Sequence, residues 1–236
     1  MSDFDPRIQR GLTRQLALRA QRLSDGHRPL GWKAGFGSLA AMRSLNLDGP
    51  LSGFLTDVSI IPSDSQVDLS GWTRPVAEPE LAVYLGTDLA GDATEGASRE
   101  AIVALGPAIE LADVHLPPEE VEEVMAANIF HRALVLGSPD PQRPGGDLEG
   151  LTALIRLNNS IVGETDRLED ATGRVAAVVT RVAHLLGSQG ERLRTGELII
   201  CGSVVPPVPL TGGDHFEFEL TPLPPLAINA LRREPA

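Results

Sequence analysis

A glutamate sits inside a run that otherwise reads as the interior of a strand: Pro107-Ala108-Ile109-Glu110-Leu111-Ala112-Asp113. A carboxylate taken out of water without a partner is expensive, so any fold of this chain must bring Glu110 a counter-charge or a cation. Arg74 and Arg132 are candidates for an ion pair, and a bound metal is the alternative. A second acidic run tightens the constraint: Ala77-Glu78-Pro79-Glu80-Leu81-Ala82-Val83-Tyr84-Leu85. Side chains alternate along a strand, so Glu78 and Glu80 share a face with Ala82 and Tyr84. Pro79, Leu81, Val83 and Leu85 take the other face. Two carboxylates two residues apart repel unless a proton or a cation relieves them, and a hard divalent ion with oxygen ligands does so. Pro79 also suits a strand at a sheet edge, where such a pair is simply solvated.

The basic residues carry a further signal. Nineteen are arginines and one is a lysine, Lys33, in Gly31-Trp32-Lys33-Ala34-Gly35-Phe36-Gly37. Arginine does not lose its proton near neutral pH, whereas a desolvated lysine does. A lone lysine in a glycine-rich loop, where backbone approaches a ligand closely, reads either as a proton-transfer group or as a surface lysine left by chance, and the acidic residues favour the first. With Glu78, Glu80 and Glu110 it forms one polar constellation. Three carboxylates leave coordination positions open, as a catalytic Mg2+ or Mn2+ requires.

The formal charge of −12 argues against nucleic acid or an anionic membrane as the main partner. Cys201 is the only cysteine, which excludes an intrachain disulfide and a thiolate zinc cage. The N-terminal residues lack the pattern of a signal peptide, no apolar run reaches membrane-spanning length, and the expected location is the cytoplasm.

Elements follow from periodicity. Asp5 and Pro6 open a helix with Ile8, Leu12, Leu16 and Leu23 on one face and arginines on the other, ending near Gly26. Ser38 caps a short helix. Strands are expected at 58–61, 76–85, 108–114, 133–136, 151–157, 198–201, 216–220 and 227–230, with a hairpin turn at Asn158-Asn159. Helices are expected at 98–105, from Pro117-Pro118 to Asn128, and from Val175 to Gly187. Without a steady βαβ alternation, the class is α+β: one catalytic domain over 1–236, with residues 1–30 a helical extension and 31–236 a β-rich core. His131 follows Phe130 at a strand start and is a candidate pocket residue. His215, alternating with Glu217 and Glu219, reads as a solvated face.

These segments together resemble a known family. GWKAGF at 31–36, GFLTD at 53–57, AEPELAVYL at 77–85, PAIELAD at 107–113 and LRTGELIICGSVVPPVPL at 193–210 are similar to the 2-keto-4-pentenoate hydratase / 4-oxalocrotonate decarboxylase branch of the fumarylacetoacetate hydrolase superfamily. The resemblance implies a β-rich mixed-sheet roll and a metal held by Glu78, Glu80 and Glu110. It places Lys33 facing the metal, Asp57 near the substrate as acid/base partner, and Gly202-Ser203 against the substrate. Homodimers or larger homo-oligomers are implied too. The activity implied is hydration of a 2-hydroxy-2,4-dienoate or 2-oxo-4-enoate to a 4-hydroxy-2-oxo acid. The alternatives are decarboxylation of a 2-oxo diacid, C–C bond hydrolysis, and a non-catalytic metal-stabilised member. One departure is visible: relatives carry Asp-Asn followed closely by serine, whereas this chain has Ala127-Asn128-Ile129-Phe130-His131.

Overall fold

The computed structural model describes residues 4–232. The chain opens with helix α1 (Pro6–Ser24), in which the Asp5 carboxylate accepts from the Arg7 N–H and Pro6 occupies the first turn. Strand β1 (Pro29–Gly35), helix α2 (Leu39–Leu45) and strand β2 (Leu51–Thr56) follow, and Ser38 caps α2 through the Ala41 N–H. Next come β3 (Ser65–Asp68), β4 (Pro75–Leu85), α3 (Glu95–Ala101), β5 (Ile102–Asp113), α4 (Val121–Ala126) and β6 (His131–Leu136). A hairpin, β7 (Thr152–Leu157) and β8 (Ser160–Thr165), turns through Asn158 and Asn159, both left-handed at φ 52° and 66°. Helix α5 (Val175–Gly187) leads to β9 (Leu198–Ser203), β10 (Val208–Pro209), β11 (His215–Thr221) and β12 (Leu226–Leu231).

The strands form two sheets. The first runs β2-β1-β9-β4-β5-β6, with β10 beside β4; the second runs β3-β12-β11-β7-β8. Both are mixed, since β1–β9 and β12–β3 are parallel and the other named pairs antiparallel. The first sheet curls until Ile60, just past β2, bridges Leu134 of β6, and the Ile61 N–H donates to the Leu134 carbonyl at 2.9 Å. Its convex face packs on the second sheet and α5 through Trp32, Leu81, Val83, Ile109, Leu111, Phe216, Phe218 and Val182. Its concave face carries the acidic residues and a small apolar cluster of Leu55, Ala82, Ala108, Leu134, Leu198 and Ile200.

The α+β class and β-rich core stand as expected, with local corrections. Lys33 lies in a strand, not a loop: it pairs with Gly53 on β2 and Ile200 on β9. The glycines around it serve close packing of chain on chain. A Cβ at Gly31 would sit 1.9 Å from the Leu198 carbonyl oxygen, and one at Gly35 would sit 2.9 Å from Ile129 Cγ2. The strand expected at 58–61 is instead a single 3-10 turn over Asp57–Ser59, and the strand lies earlier, at β2. Helix α3 stops at Ala101 and β5 begins at once, with no Gly or Pro between them to mark the change. Helix α4 is shorter than its expected span. Strand β4 is central, flanked by β5 on one side and β9 and β10 on the other, which removes the edge-strand reading of Glu78 and Glu80.

The arginine face of α1 is not free. Arg10 pairs with Glu122 at 2.7 Å and Arg14 with Glu123 at 2.5 Å, Gln15 donates to the Met125 carbonyl at 2.7 Å, and a Cβ at Gly11 would meet Met125 Cβ at 2.7 Å. The helix is thereby clamped onto α4. Among the described residues no helix is long and apolar enough to cross a membrane.

Candidate metal centre and active site

Pairing of β4 with β5 sets Glu78 directly across from Glu110 and Glu80 across from Ala108. Strand alternation turns all three carboxylates to the concave face, where one oxygen from each lies within 4.8 Å of the others. Glu80 and Glu110 are fully buried and Glu78 is partly buried. The Glu80 carboxylate accepts the Gly202 N–H at 2.7 Å through Oε2. Glu110 Oε1 accepts from both Lys33 Nζ and His131 Nδ1, the latter at 2.8 Å. That leaves Glu80 Oε1 and Glu110 Oε2 buried with no hydrogen-bonding partner among protein atoms. Two unsatisfied carboxylate oxygens beside a third carboxylate form a donor set for a hard divalent cation, and the residues fit one.

Charge in this cluster is distributed unevenly. Loss of hydration is the largest effect on Glu78 and, with the Glu110 charge, pushes its carboxyl up to about 7. The same two causes, joined by the Glu78 charge, put Glu80 well above the usual carboxylate range. Glu110 goes the other way: burial would raise it, but the Lys33 ammonium and the His131 hydrogen bond hold it below its ordinary value. Burial also pulls Lys33 down, yet Glu110, Glu78 and Glu80 together outweigh it and keep the amine above its ordinary value. Without a cation the site therefore holds one ammonium, one firmly ionised carboxylate and two that resist ionisation.

Lys33 is placed by contacts on three sides. It is 1% exposed, and its Nζ also donates to the Ile129 carbonyl at 3.0 Å. Its stem runs over Gly53, where a Cβ would stand 2.8 Å from Lys33 Cγ. Ile129 belongs to an unusual segment: Asn128, Ile129 and Phe130 are all left-handed, at φ 62°, 48° and 64°. For non-glycine residues this costs roughly 1–2 kcal/mol each, so the surroundings must impose it. Asn128 supplies part of that hold. Its Oδ1 accepts the Phe54 N–H at 2.8 Å and its Nδ2 donates to the Phe54 carbonyl at 2.9 Å.

The segment also sorts its two large residues. Phe130 turns into the apolar cluster of Ile8, Leu12, Val124 and Met125 and lies 6.1 Å from the Phe36 ring and 5.7 Å from the His115 ring. His131 turns onto Glu110.

The expected site residues thus divide. Lys33, Glu78, Glu80, Glu110 and His131 converge, with the Gly202 N–H on Glu80 and Ser203 in register with it. Gly202 is left-handed at φ 95°, and a Cβ there would meet Thr172 Cγ2 at 2.7 Å. Asp57 is not brought into this group. Its carboxylate accepts the Arg28 N–H at 2.8 Å and the Arg28 guanidinium at 2.9 Å, and these bonds hold it below its ordinary range. Neither arginine proposed for Glu110 reaches it: Arg132 pairs with Asp113 at 3.0 Å, and Arg74 donates to the Val114 carbonyl at 2.8 Å. Sequence reasoning missed the Asn128 brace and the Ile129 carbonyl, since no periodicity marks a run of left-handed residues. Trp32 packs on the opposite face from Lys33 and donates to Glu197 at 3.1 Å. Cys201 is buried in the core, and burial pushes its thiol up, away from nucleophilic use.

Comparison with known proteins bears on this geometry. The family model described as Fumarylacetoacetate (FAA) hydrolase C-terminal matches residues 37–229. A 4-oxalocrotonate decarboxylase of Pseudomonas sp is 28% identical over 217 residues, covering 91% of this chain and 84% of that protein. A 2-hydroxyhexa-2,4-dienoate hydratase of Comamonas testosteroni is 30% identical over 205 residues, covering 83% of this chain and 76% of the relative. Among solved structures, 4-oxalocrotonate decarboxylase from Pseudomonas putida G7, complexed with magnesium and adipate, aligns with a TM-score of 0.82. That alignment covers 92% of this chain and 83% of the other at 24% identity, and shows a shared fold.

Proposed function

This chain belongs to the fumarylacetoacetate hydrolase family, and we propose that within it the protein is a metal-dependent lyase that hydrates a 2-hydroxy-2,4-dienoate, in its 2-oxo-enoate form, to a 4-hydroxy-2-oxo acid. The observation that carries this reading is the convergence of Glu78, Glu80 and Glu110, two of them with a buried oxygen left over, opposite a buried lysine. The all-oxygen donor set favours Mg2+ or Mn2+ held by these three glutamates. When bound, such an ion supplies Lewis-acid stabilisation of the negative charge that builds on the 2-oxo oxygen.

The remaining chemistry belongs to the side chains. Neutralising the glutamates removes the charges that keep Lys33 protonated, while its burial persists, so the amine comes closer to giving up a proton. The diene first tautomerises, the 2-hydroxyl losing its proton as carbon 5 gains one, which leaves a double bond between carbons 3 and 4. The hydroxyl of water then joins carbon 4, Lys33 delivers a proton to carbon 3, and the amine takes back the proton that the water releases. Atoms balance: one water is consumed and the lysine is regenerated. The Gly202 N–H fixes the orientation of Glu80, and Ser203 lies beside it to hold the substrate. The reading includes one catalytic unit over 1–236, a cytoplasmic location and a homodimer or larger assembly, whose size sedimentation would measure.

A decarboxylase acting on a 2-oxo diacid uses the same enolate and remains the second reading, favoured by the likeness to 4-oxalocrotonate decarboxylase. The test is direct. Purified protein with Mg2+ is given 2-hydroxypenta-2,4-dienoate and, separately, an unsaturated 2-oxo diacid. Loss of diene absorbance with formation of the 4-hydroxy acid supports hydration, and CO2 release from the diacid supports decarboxylation. Metal binding without turnover of either would make the protein a non-catalytic member.

A further inference from the structure

His131 is the residue of the cluster whose second nitrogen the reading above leaves without a task. Its side chain is 6% exposed, Nδ1 lies 2.8 Å from Glu110 Oε1, and Nε2 is buried with no hydrogen-bonding partner among protein atoms. A buried polar nitrogen left unmatched is costly, and packing does not demand an imidazole here, since the apolar cluster is filled by Phe130 instead. The placement is built. Three left-handed residues, braced by Asn128 on Phe54, deliver His131 to the start of β6 opposite Ala112, with its ring on the carboxylate.

The partner on one side of the ring fixes what the other side offers. An ionised carboxylate only accepts, so Nδ1 carries the hydrogen. Lys33 donates to the same oxygen. Nε2 is thus a lone-pair acceptor, and its occupant must bring a hydrogen. The chelating carboxylate and oxo oxygens of the substrate have none. The co-reactant water has two.

We propose that His131 Nε2 holds the water that adds to the double bond, accepting one hydrogen so that an oxygen lone pair is aimed at carbon 4. The proposal rests on the hydratase reading of the same site. It makes Glu110 serve two purposes, steadying the imidazole with Oε1 and offering Oε2 to the cation.

Two substitutions separate the halves of the ring. His131→Asn keeps a donor near the Nδ1 position and removes Nε2, whereas His131→Gln reaches toward the Nε2 position and gives up the Nδ1 bond. For each, Mg2+ affinity is measured by calorimetry. Deuterium exchange at carbon 3 of 2-oxobutanoate reads proton transfer without water addition, and hydration of 2-hydroxypenta-2,4-dienoate reads the full reaction. In His131→Asn, hydration should fall by about 100-fold, at least tenfold more than exchange, with Mg2+ affinity held within about threefold. His131→Gln should bind Mg2+ more weakly yet recover part of the hydration relative to exchange. Equal losses of hydration and exchange in His131→Asn would reduce the residue to a support for Glu110 and overturn the water site, as would hydration at the parent rate. A parent protein that neither exchanges nor hydrates overturns the hydratase reading itself, and the water site with it.

Discussion

The concave face of the first sheet has two ends that differ by one step of two residues along the same strands. On β4, Glu80 is followed by Ala82; on β5, Glu110 is preceded by Ala108. At one end Ala82, Ala108, Leu55, Leu134, Leu198 and Ile200 are at most 2% exposed and lack polar side-chain atoms. At the other, buried and half-buried side chains carry three carboxyls, an ammonium and an imidazole. The backbone is the same, but the energetics are opposite. The apolar end gains from losing water, while the polar end loses hydration and recovers it only through partners. The lesson is a division of labour: one end is a stable floor, and the other stores an electrostatic deficit that a cation relieves.

That contrast can be attacked from either end. The largest effect is expected from Lys33→Arg, which keeps charge and approximate length but not a transferable proton: turnover should drop by roughly 10²–10⁴-fold with folding and Mg2+ binding retained. Activity near the parent's would erase the proton-transfer role. At the opposite end, Leu134→Ala should cost about 2–5 kcal/mol in denaturant unfolding and leave Mg2+ affinity within a few fold. A matching collapse of affinity would mean that the two ends are one unit. Glu110→Gln should weaken Mg2+ binding at least about tenfold by calorimetry, because it removes a charged ligand and loosens both Lys33 and His131. An unchanged isotherm would remove Glu110 from the donor set.

A subtler effect concerns pH. Glu78 titrates at about 7 and Glu80 well above its ordinary value in the folded protein. The native state therefore keeps protons that the unfolded chain releases above about 4.5. Without metal, these carboxyls should make stability fall as pH rises from about 4.5 to 7 and, through Glu80, beyond it, and the rise in Tm given by Mg2+ should grow over the same interval. Thermal melts with and without Mg2+ across that window check both signs; a metal-free Tm that climbs with pH would contradict the charge assignment. The smallest effect is expected from Asp57→Asn, with turnover within about threefold, since Arg28 already occupies its carboxylate. A loss as large as that of Lys33→Arg would restore Asp57 to the chemistry.

Much of this site was legible because strand alternation is strict. Glu78 and Glu80 could be set on a common face from period two alone, and the demand for a partner to Glu110 followed from desolvation. The second sheet was legible for the same reason, with Phe216 and Phe218 inward and Glu217 and Glu219 outward on Arg156. What misled was glycine. Gly31, Gly35 and Gly37 read as a loop, although two of them let β1 run close to Leu198 and Ile129. Gly53 similarly hid β2, where the missing Cβ makes room for the lysine stem. The identity of Glu110's partners was out of reach too. Lys33 lies 77 residues away in sequence, and His131 arrives through a left-handed turn that no local pattern announces.

The burial of Lys33 has a practical consequence for anyone handling the protein. With a single side-chain amine in 236 residues, and that one sealed, acylating reagents should find no reactive lysine on the intact fold. The rate at which they do modify it becomes a clock for how often the floor and walls around it part. A bound cation or substrate mimic that slows this clock reports tightening of the chamber directly, with no label to install.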